Sequence, residues 1–271
     1  MNMIKIEQID FLINELINEQ ERYKNVSIPE DYEGKRKLLR SLMNVREPYN
    51  AREEFFKVQD ELLENESKEK GIVELPNLQT LNEMFPDKNN KHGNKITLWR
   101  GDITSLKVDA IVNAANNQML GCFVPCHGCI DNAIHSAAGI QLRLECYEIM
   151  NKQSFLEQTG SAKVTDAYNL PCKHVIHTVG PIINGALTDE DCNKLESCYR
   201  SCLQISIENN IKSIAFCCIS TGEFRFPKER AAEIAIKTIC DFLDDNNEKI
   251  ERVVINVFKE KDLEIYKNLL G

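Results

Sequence analysis

No apolar run in this 271-residue chain approaches the roughly 18 residues that a membrane helix needs, which excludes a membrane-spanning helix. The opening Met1-Asn2-Met3-Ile4-Lys5-Ile6-Glu7 lacks the apolar core of a secretory signal, so a cytoplasmic protein is expected. Positive charge is scarce: 33 Lys and Arg face 42 Asp and Glu, for a net charge of −9. The summed field repels nucleic acid, which argues against a general nucleic-acid binder. The chain also lacks an internal repeat, a low-complexity tract and a lysine-based phosphate loop. Glycine is nearly absent from the first 90 residues, which hold only Gly34 and Gly71. Cysteine is not scarce, but eleven is an odd number, and a chain this long and well patterned needs no disulfide scaffold.

The glycine-poor portion is rich in charge and carries apolar residues at helical spacing: Ile9, Leu12, Ile13, Leu16 and Ile17, then Phe55, Phe56, Val58, Leu62 and Leu63. The spacing predicts helices there, over about 51–68 in the second case, with a shorter one near 35–43. Residues 1–90 are expected to form a helical N-terminal extension and 91–271 the main domain, joined by the polar Lys88-Asn89-Asn90-Lys91-His92-Gly93-Asn94. From Ile96 the rhythm changes to short β-rich runs separated by helices, the pattern of an α/β layer fold. Strands are expected at 95–100, 107–113, 161–167, 173–179, 212–219 and 251–257, and helices at 130–149, 189–210, 228–244 and 260–270. In such a sheet ligands sit at the loops beyond strand ends.

Two of those loops carry chemistry. Gly101-Asp102-Ile103-Thr104 follows one strand, and Val112-Asn113-Ala114-Ala115-Asn116-Asn117 closes the next. Asp102 can accept from an exocyclic amine and Asn116 can bond sugar hydroxyls, although each taken alone reads more readily as a turn residue or cap. Ser220-Thr221-Gly222-Glu223-Phe224-Arg225-Phe226-Pro227 leads from a strand into a helix. Backbone amides around such a glycine form an anion cradle able to hold a diphosphate. The plainer reading, with Ser220 or Thr221 capping and Pro227 opening the helix, is compatible with it. Glu223 is awkward beside an anion, so amides rather than side-chain charge must attract it.

Taken together, GDIT at 101–104, DAIVNAAN at 109–116, IHSAAG at 134–139 and ISTGEFRFP at 219–227 resemble the macrodomain family, over about residues 95–270. The resemblance implies a three-layer α/β/α fold with a mixed central sheet and an ADP-ribose cleft. It implies a ligand-binding set of Asp102, Ile103, Asn116, Ser220, Thr221, Gly222, Glu223 and Phe224. Asp102 would hold adenine, the amides of Gly222, Glu223 and Phe224 would wrap the diphosphate, and Asn116 would orient the distal ribose, against which Phe224 could pack.

Where most macrodomains have a glycine-rich segment, this chain carries Cys122-Phe123-Val124-Pro125-Cys126-His127-Gly128-Cys129. Three thiols and one imidazole so close together suit a soft tetrahedral Zn²⁺. The departure resembles the zinc-dependent branch of the family. That resemblance implies one zinc ion on Cys122, His127 and Cys129, with the fourth position open to water or substrate, as in a catalytic site. Cys126 complicates this, because a fourth donor could close the centre into a structural one. The resemblance also makes Asp131, at the mouth of the next helix, a catalytic assistant beside Asn116, while helix capping is an equal reading.

The activity so implied is hydrolysis of mono-ADP-ribose from Asp or Glu side chains of a modified protein. By the same resemblance that protein would be a small lipoyl-carrier-like chain modified by a sirtuin. A non-catalytic ADP-ribose reader with a structural zinc, or a protein-interaction module, are the competing readings.

Overall fold

The computed structural model describes residues 3–271; Met1 and Asn2, part of the start segment read above, lie outside the described residues. The first three helices are α1 (Met3–Asn18), α2 (Tyr32–Val45) and α3 (Glu53–Lys70). Their apolar faces meet in a core of their own, in which Ile9, Leu12, Ile13, Leu39, Phe55 and Leu62 pack with Ile140 of the main body. Helix α2 starts earlier than the expected residue 35 because Asp31 caps it, its carboxylate accepting from Gly34 N at 2.8 Å. The chain then forms β1 (Val73–Glu74) and α4 (Leu81–Met84), neither expected from the sequence, and α4 is opened by a Thr80/Glu83 capping box. Leu81 already belongs to the main core.

The main body continues through β2 (Ile96–Arg100), β3 (Leu106–Lys107), β4 (Ala110–Ala115), α5 (Ile130–Ala138), α6 (Ile140–Gln153), β5 (Ala162–Asp166), β6 (His174–Val179), α7 (Asp189–Glu208), β7 (Ser213–Phe216), α8 (Lys228–Asn246), β8 (Arg252–Val257) and α9 (Glu260–Leu270). Six strands make a mixed sheet in the order β2-β8-β7-β4-β6-β5, all parallel to their neighbours except β5, which runs antiparallel to β6. Strand β1 pairs separately with β3. Helices flank the sheet, with α5 and α6 against β4 and β5, and α7 and α9 against β5, β6, β2 and β8. The buried run Ala110-Ile111-Val112 is what a strand covered on both faces requires. Because β4 and β7 are parallel neighbours, the loops leaving their C-terminal ends face each other.

Three expectations need correction. The single helix over 130–149 is two, broken at Gly139, whose φ is +97°. A Cβ there would lie 2.6 Å from Gln59 Nε2, and Gln59 Oε1 accepts from Ile140 N at 3.0 Å, so the break receives a side chain from α3. The strand expected over 107–113 shifts to 110–115: the Asp109 carboxylate instead accepts from the amides of Lys212 at 3.1 Å and Ser213 at 2.9 Å, tying the starts of β4 and β7. The strand expected over 212–219 stops at Phe216, and Ser220 adopts φ +62° to turn the loop.

Behind the strand ends lies a buried polar pocket. His177 Nδ1 accepts from Asn113 Nδ2 at 3.1 Å, and Nε2 meets Thr165 Oγ1 at 3.0 Å. Burial lowers its pKa to about 3. Burial, then His177 and Arg143, holds His135 well below the ordinary value too. An unfolded imidazole takes up a proton near pH 6.5 whereas these two do not, so their stabilisation is complete above that pH and is lost as pH falls toward about 3. Asp131, raised to about 6 by burial, acts in the opposite sense, but through one group against two. The midpoint of thermal unfolding is expected to fall between pH 6.5 and 5, and less steeply in His177→Gln; a flat profile for the parent would contradict this.

Candidate metal centre and ligand cleft

The loop between β4 and α5 is pinned at its neck. Asn116 Oδ1 accepts from Gln118 N at 3.0 Å and Nδ2 donates to Gly121 O at 3.0 Å, so Asn116 fills its turn role at the cleft. Beyond it, Cys122, His127 and Cys129 are all half-buried, and their donor atoms lie within 4.8 Å of one another. Cys122 Sγ stands 3.5 Å from His127 Nδ1. Two thiols and an imidazole so gathered fit a tetrahedral zinc ion. Cys129 is also the N-cap of α5, its sulfur accepting from Asn132 N at 3.4 Å. Burial pushes its thiol up to about 12, with Cys122 and Asp131 adding to the rise, so a bound cation must displace a proton there. Cys126 does not join them: its sulfur lies 3.2 Å from Ser41 Oγ and 3.5 Å from Lys37 O, on α2.

With Cys129 as the cap, Asp131 is free to turn inward. It is buried, and Oδ1 accepts from Asn113 Nδ2 at 2.8 Å while Oδ2 lies 3.4 Å from Asn116 Nδ2. Burial outweighs the opposing pull of Asn113 and Arg143 and raises its carboxyl to about 6, a range suited to giving or taking a proton near neutrality. His135 packs within the fold, its Nε2 3.5 Å from Asp131 Oδ1.

Across the cleft, the loop after β7 is held by Thr221 Oγ1 donating to Cys218 O at 3.0 Å, Phe226 N to Ser220 O at 3.0 Å, and Ile183 N to Phe224 O at 2.9 Å. The amides of Gly222, Glu223 and Phe224 have no acceptor among the described residues, and a Cβ on Gly222 would meet nothing within 4 Å. The buried Ser220 hydroxyl also has no partner among the described residues. Neither Ser220 nor Thr221 caps α8; Pro227 stands at that N-cap with no side-chain bond. At the far end, Asp102 Oδ1 accepts from Thr104 N at 2.9 Å and Thr104 Oγ1 at 2.7 Å, and Oδ2 pairs with Lys70. Burial pushes this carboxyl up, but the bonds from Lys70 and Thr104 outweigh it and hold it below the usual range. The neighbouring Ile103 is buried.

Residues 112–235 match the Macro domain family. A Treponema medium protein named Protein-ADP-ribose hydrolase is 51% identical over 99% of this chain and 100% of its own length. The chain belongs to the Macro domain family. A second protein of the same name, from Staphylococcus aureus strain MSSA476, is 41% identical over 96% of this chain and 94% of its own. Among solved structures, the Trypanosoma brucei macrodomain in complex with ADP-ribose superposes with a TM-score of 0.64 at 30% identity, covering 86% of this chain and 95% of that one.

In this macrodomain the helical extension borders the cleft. A cavity of about 620 Å³ separates α2 and α3 from α5, lined in part by Arg36, Lys37, Arg40, Lys70, Asp102 and Cys126. Its volume is in the range of small-ligand sites, and Asp102 stands on its wall. The residues that join the extension to the cysteine-rich loop went unread in the sequence. Arg40 Nη2 donates to Asn132 Oδ1 at 2.6 Å and to His127 O at 3.3 Å. Arg143 donates to Leu120 O, Met43 O and Arg46 O at 2.6, 3.1 and 2.6 Å, and lies over the Phe123 ring at 4.2 Å. The one signal for Arg143 was its place on α6 between the buried Ile140 and Cys146, where a charge is out of pattern.

Glu223 finds a different partner from the anion expected of its loop. Its Oε1 lies 4.0 Å from His127 Nε2, the nitrogen opposite the one facing Cys122. At 4.0 Å this is an ion-pair distance and not a hydrogen bond, so the carboxylate acts on the imidazole through its charge. Glu223→Gln is expected to weaken zinc affinity by up to about tenfold, the lower end for outer partners, because the carboxylate is exposed. Competition against a chelating dye measures this, and an unchanged affinity would remove Glu223 from the centre.

Proposed function

We propose that this macrodomain is a zinc-dependent protein-ADP-ribose hydrolase that releases mono-ADP-ribose from Asp or Glu side chains. The observation that carries the proposal is the convergence of Cys122, His127 and Cys129, with Asp131 and Asn116 beside them, on a cleft whose amides at 222–224 lack acceptors. The relatives named Protein-ADP-ribose hydrolase, aligned over nearly the whole chain, support the reaction class.

Asp102 accepts from the exocyclic amine of adenine, with Ile103 beside it. The amides of Gly222, Glu223 and Phe224 hold the diphosphate, assisted by the Ser220 hydroxyl, while Thr221, bonded to Cys218 O, holds the turn in shape. Asn116 orients the distal ribose and Phe224 packs against it, fixing the scissile ester near the three metal ligands. Bound zinc supplies Lewis-acid polarisation or a water of lowered pKa. Asp131 takes or returns the proton that the ester cleavage moves. The reading places the reaction in the cytoplasm, where thiols stay reduced. The family resemblance points to a small lipoyl-carrier-like protein, modified by a sirtuin, as substrate.

Zinc-loaded protein incubated with a carrier mono-ADP-ribosylated on Asp or Glu is expected to release free ADP-ribose, to stop on chelation and to resume with added zinc. Binding without release would leave a reader with a structural zinc. Release that survives metal removal would overturn the role of zinc.

A further inference from the structure

The ligand spacing alone does not say which of four donors would bind a metal. Cys122 and Cys126 form a C-x₃-C pair, and Cys126 and Cys129 a C-x₂-C pair, both within the usual range for chelation. On that ground Cys126 is as well placed as His127. What removes it is contact with the helical extension. Asn44 Oδ1 accepts from Cys126 N at 2.9 Å, and Cys126 takes a left-handed φ of +50°. Its sulfur then meets Ser41 Oγ and Lys37 O, so all three partners lie on α2. Asn44 is itself 2% exposed and is aimed by its Nδ2 donating to Ser136 Oγ at 2.9 Å. Arg40, one turn earlier on the same helix, fixes the carbonyl of His127 and the side chain of Asn132. One helix thus grips the loop on both sides of the peptide at which Cys126 turns away.

We propose that α2 holds Cys126 out of the coordination sphere, so that the centre keeps three protein ligands and one open position. Asn44 and Ser41 are positioning residues in this scheme, and they act through Cys126. The inference rests on the metal reading given under Proposed function. Without Asn44 the Cys126 amide loses its acceptor and the loop relaxes. The thiol then releases its proton to solvent, its sulfur binds the ion, and the water in the fourth position leaves. Four protein donors make a closed, structural centre with no place for substrate. The N-terminal extension therefore decides whether the centre can be catalytic.

Co²⁺ substitution tests this, because the intensity of the thiolate-to-cobalt charge-transfer band counts bound thiolates. The full-length parent is expected to show two thiolates per ion, and Cys126→Ser the same band, metal content and turnover. In Asn44→Ala the band is expected to rise about 1.5-fold, the ratio of three thiolates to two, while zinc-supported hydrolysis falls. Adding Cys126→Ser to Asn44→Ala is expected to restore both the two-thiolate band and the hydrolysis, a rescue that simple loss of stability would not give. Should Asn44→Ala fail to fold, Ser41→Ala, which removes only the hydroxyl beside the sulfur, is read in the same way and is expected to give a partial rise. A band that drops by a third in Cys126→Ser would show that Cys126 is already a ligand and overturn the proposal. A two-thiolate band and full turnover in the folded position-44 or position-41 variants would overturn it equally. A folded parent with no cobalt band would overturn the metal reading itself, and this inference with it.

Discussion

Cys129→Ala is expected to lose its metal and more than about 100-fold of its hydrolytic rate, beyond the 10–100-fold that follows loss of an outer partner, while still binding ADP-ribose. Cys129 is one of three donors gathered within 4.8 Å, and two remaining donors cannot hold a labile divalent ion against dilution. Binding persists because Asp102 and the amides at 222–224 lie on other loops. The substitution also removes the α5 cap, in which the sulfur accepts from Asn132 N, and that loss costs about 1 kcal/mol. Cys129→Ser separates the two effects, since serine caps a helix well but is a poor zinc ligand. Zinc content, calorimetric binding of ADP-ribose and turnover are measured on the same preparations. Full turnover in a metal-free Cys129→Ser protein would falsify the zinc mechanism.

The largest expected loss of stability comes from Arg143→Ala. The guanidinium is 5% exposed and satisfies three carbonyls, one on the metal loop and two at the end of α2. Burial lowers its pKa to about 10, opposed by Asp131 and Glu47, so it remains charged at neutral pH. Each buried carbonyl left unpaired costs about 1–3 kcal/mol, and with some water entering the space the sum is about 3–5 kcal/mol. That is a large part of the roughly 5–15 kcal/mol that holds a protein folded, and it corresponds to a fall in melting temperature of about 10 °C. Arg143→Lys is expected to recover little, because a single ammonium cannot span donors arranged in a fork. Zinc affinity should fall as well, since Leu120 and Phe123 flank Cys122 and both lose their anchor. An unfolding midpoint within 2 °C of the parent would refute this account, since about 1 kcal/mol is the most such a shift represents.

Much of the fold was legible because hydrophobic periodicity is local. The run Ala110-Ile111-Val112 reads as a doubly covered strand, and Ile9, Leu12, Ile13 and Leu16 as one helix face, before any partner is known. Errors came where a distant residue changed the local outcome. Gly139 breaks α5 from α6 because Gln59, eighty residues away in the chain, needs the space a Cβ would fill. Strand β4 starts late because Asp109 bonds to Lys212 and Ser213.

The site divides along the same line. Cys122, His127 and Cys129, which the structure brings together, and Asp102, Asn116, 220–224 and Asp131 could all be nominated from the sequence, because each lies in a short segment whose chemistry is contained in its own residue types. What Asp131 does was not readable. Capping was one reading of Asp131, and the structure gives the cap to Cys129 and sets the buried carboxylate against Asn113. Arg40, Asn44 and Arg143 gave almost no local sign, because their partners are carbonyls and amides scattered over about a hundred residues of chain. The sequence by itself determined the α/β class, the family and the set of soft donors. Only the tertiary structure decided that Cys126 faces α2 and not the other three donors, because a thiol's direction depends on what the folded chain offers it, here Asn44, Ser41 and Lys37 from a helix more than eighty residues away.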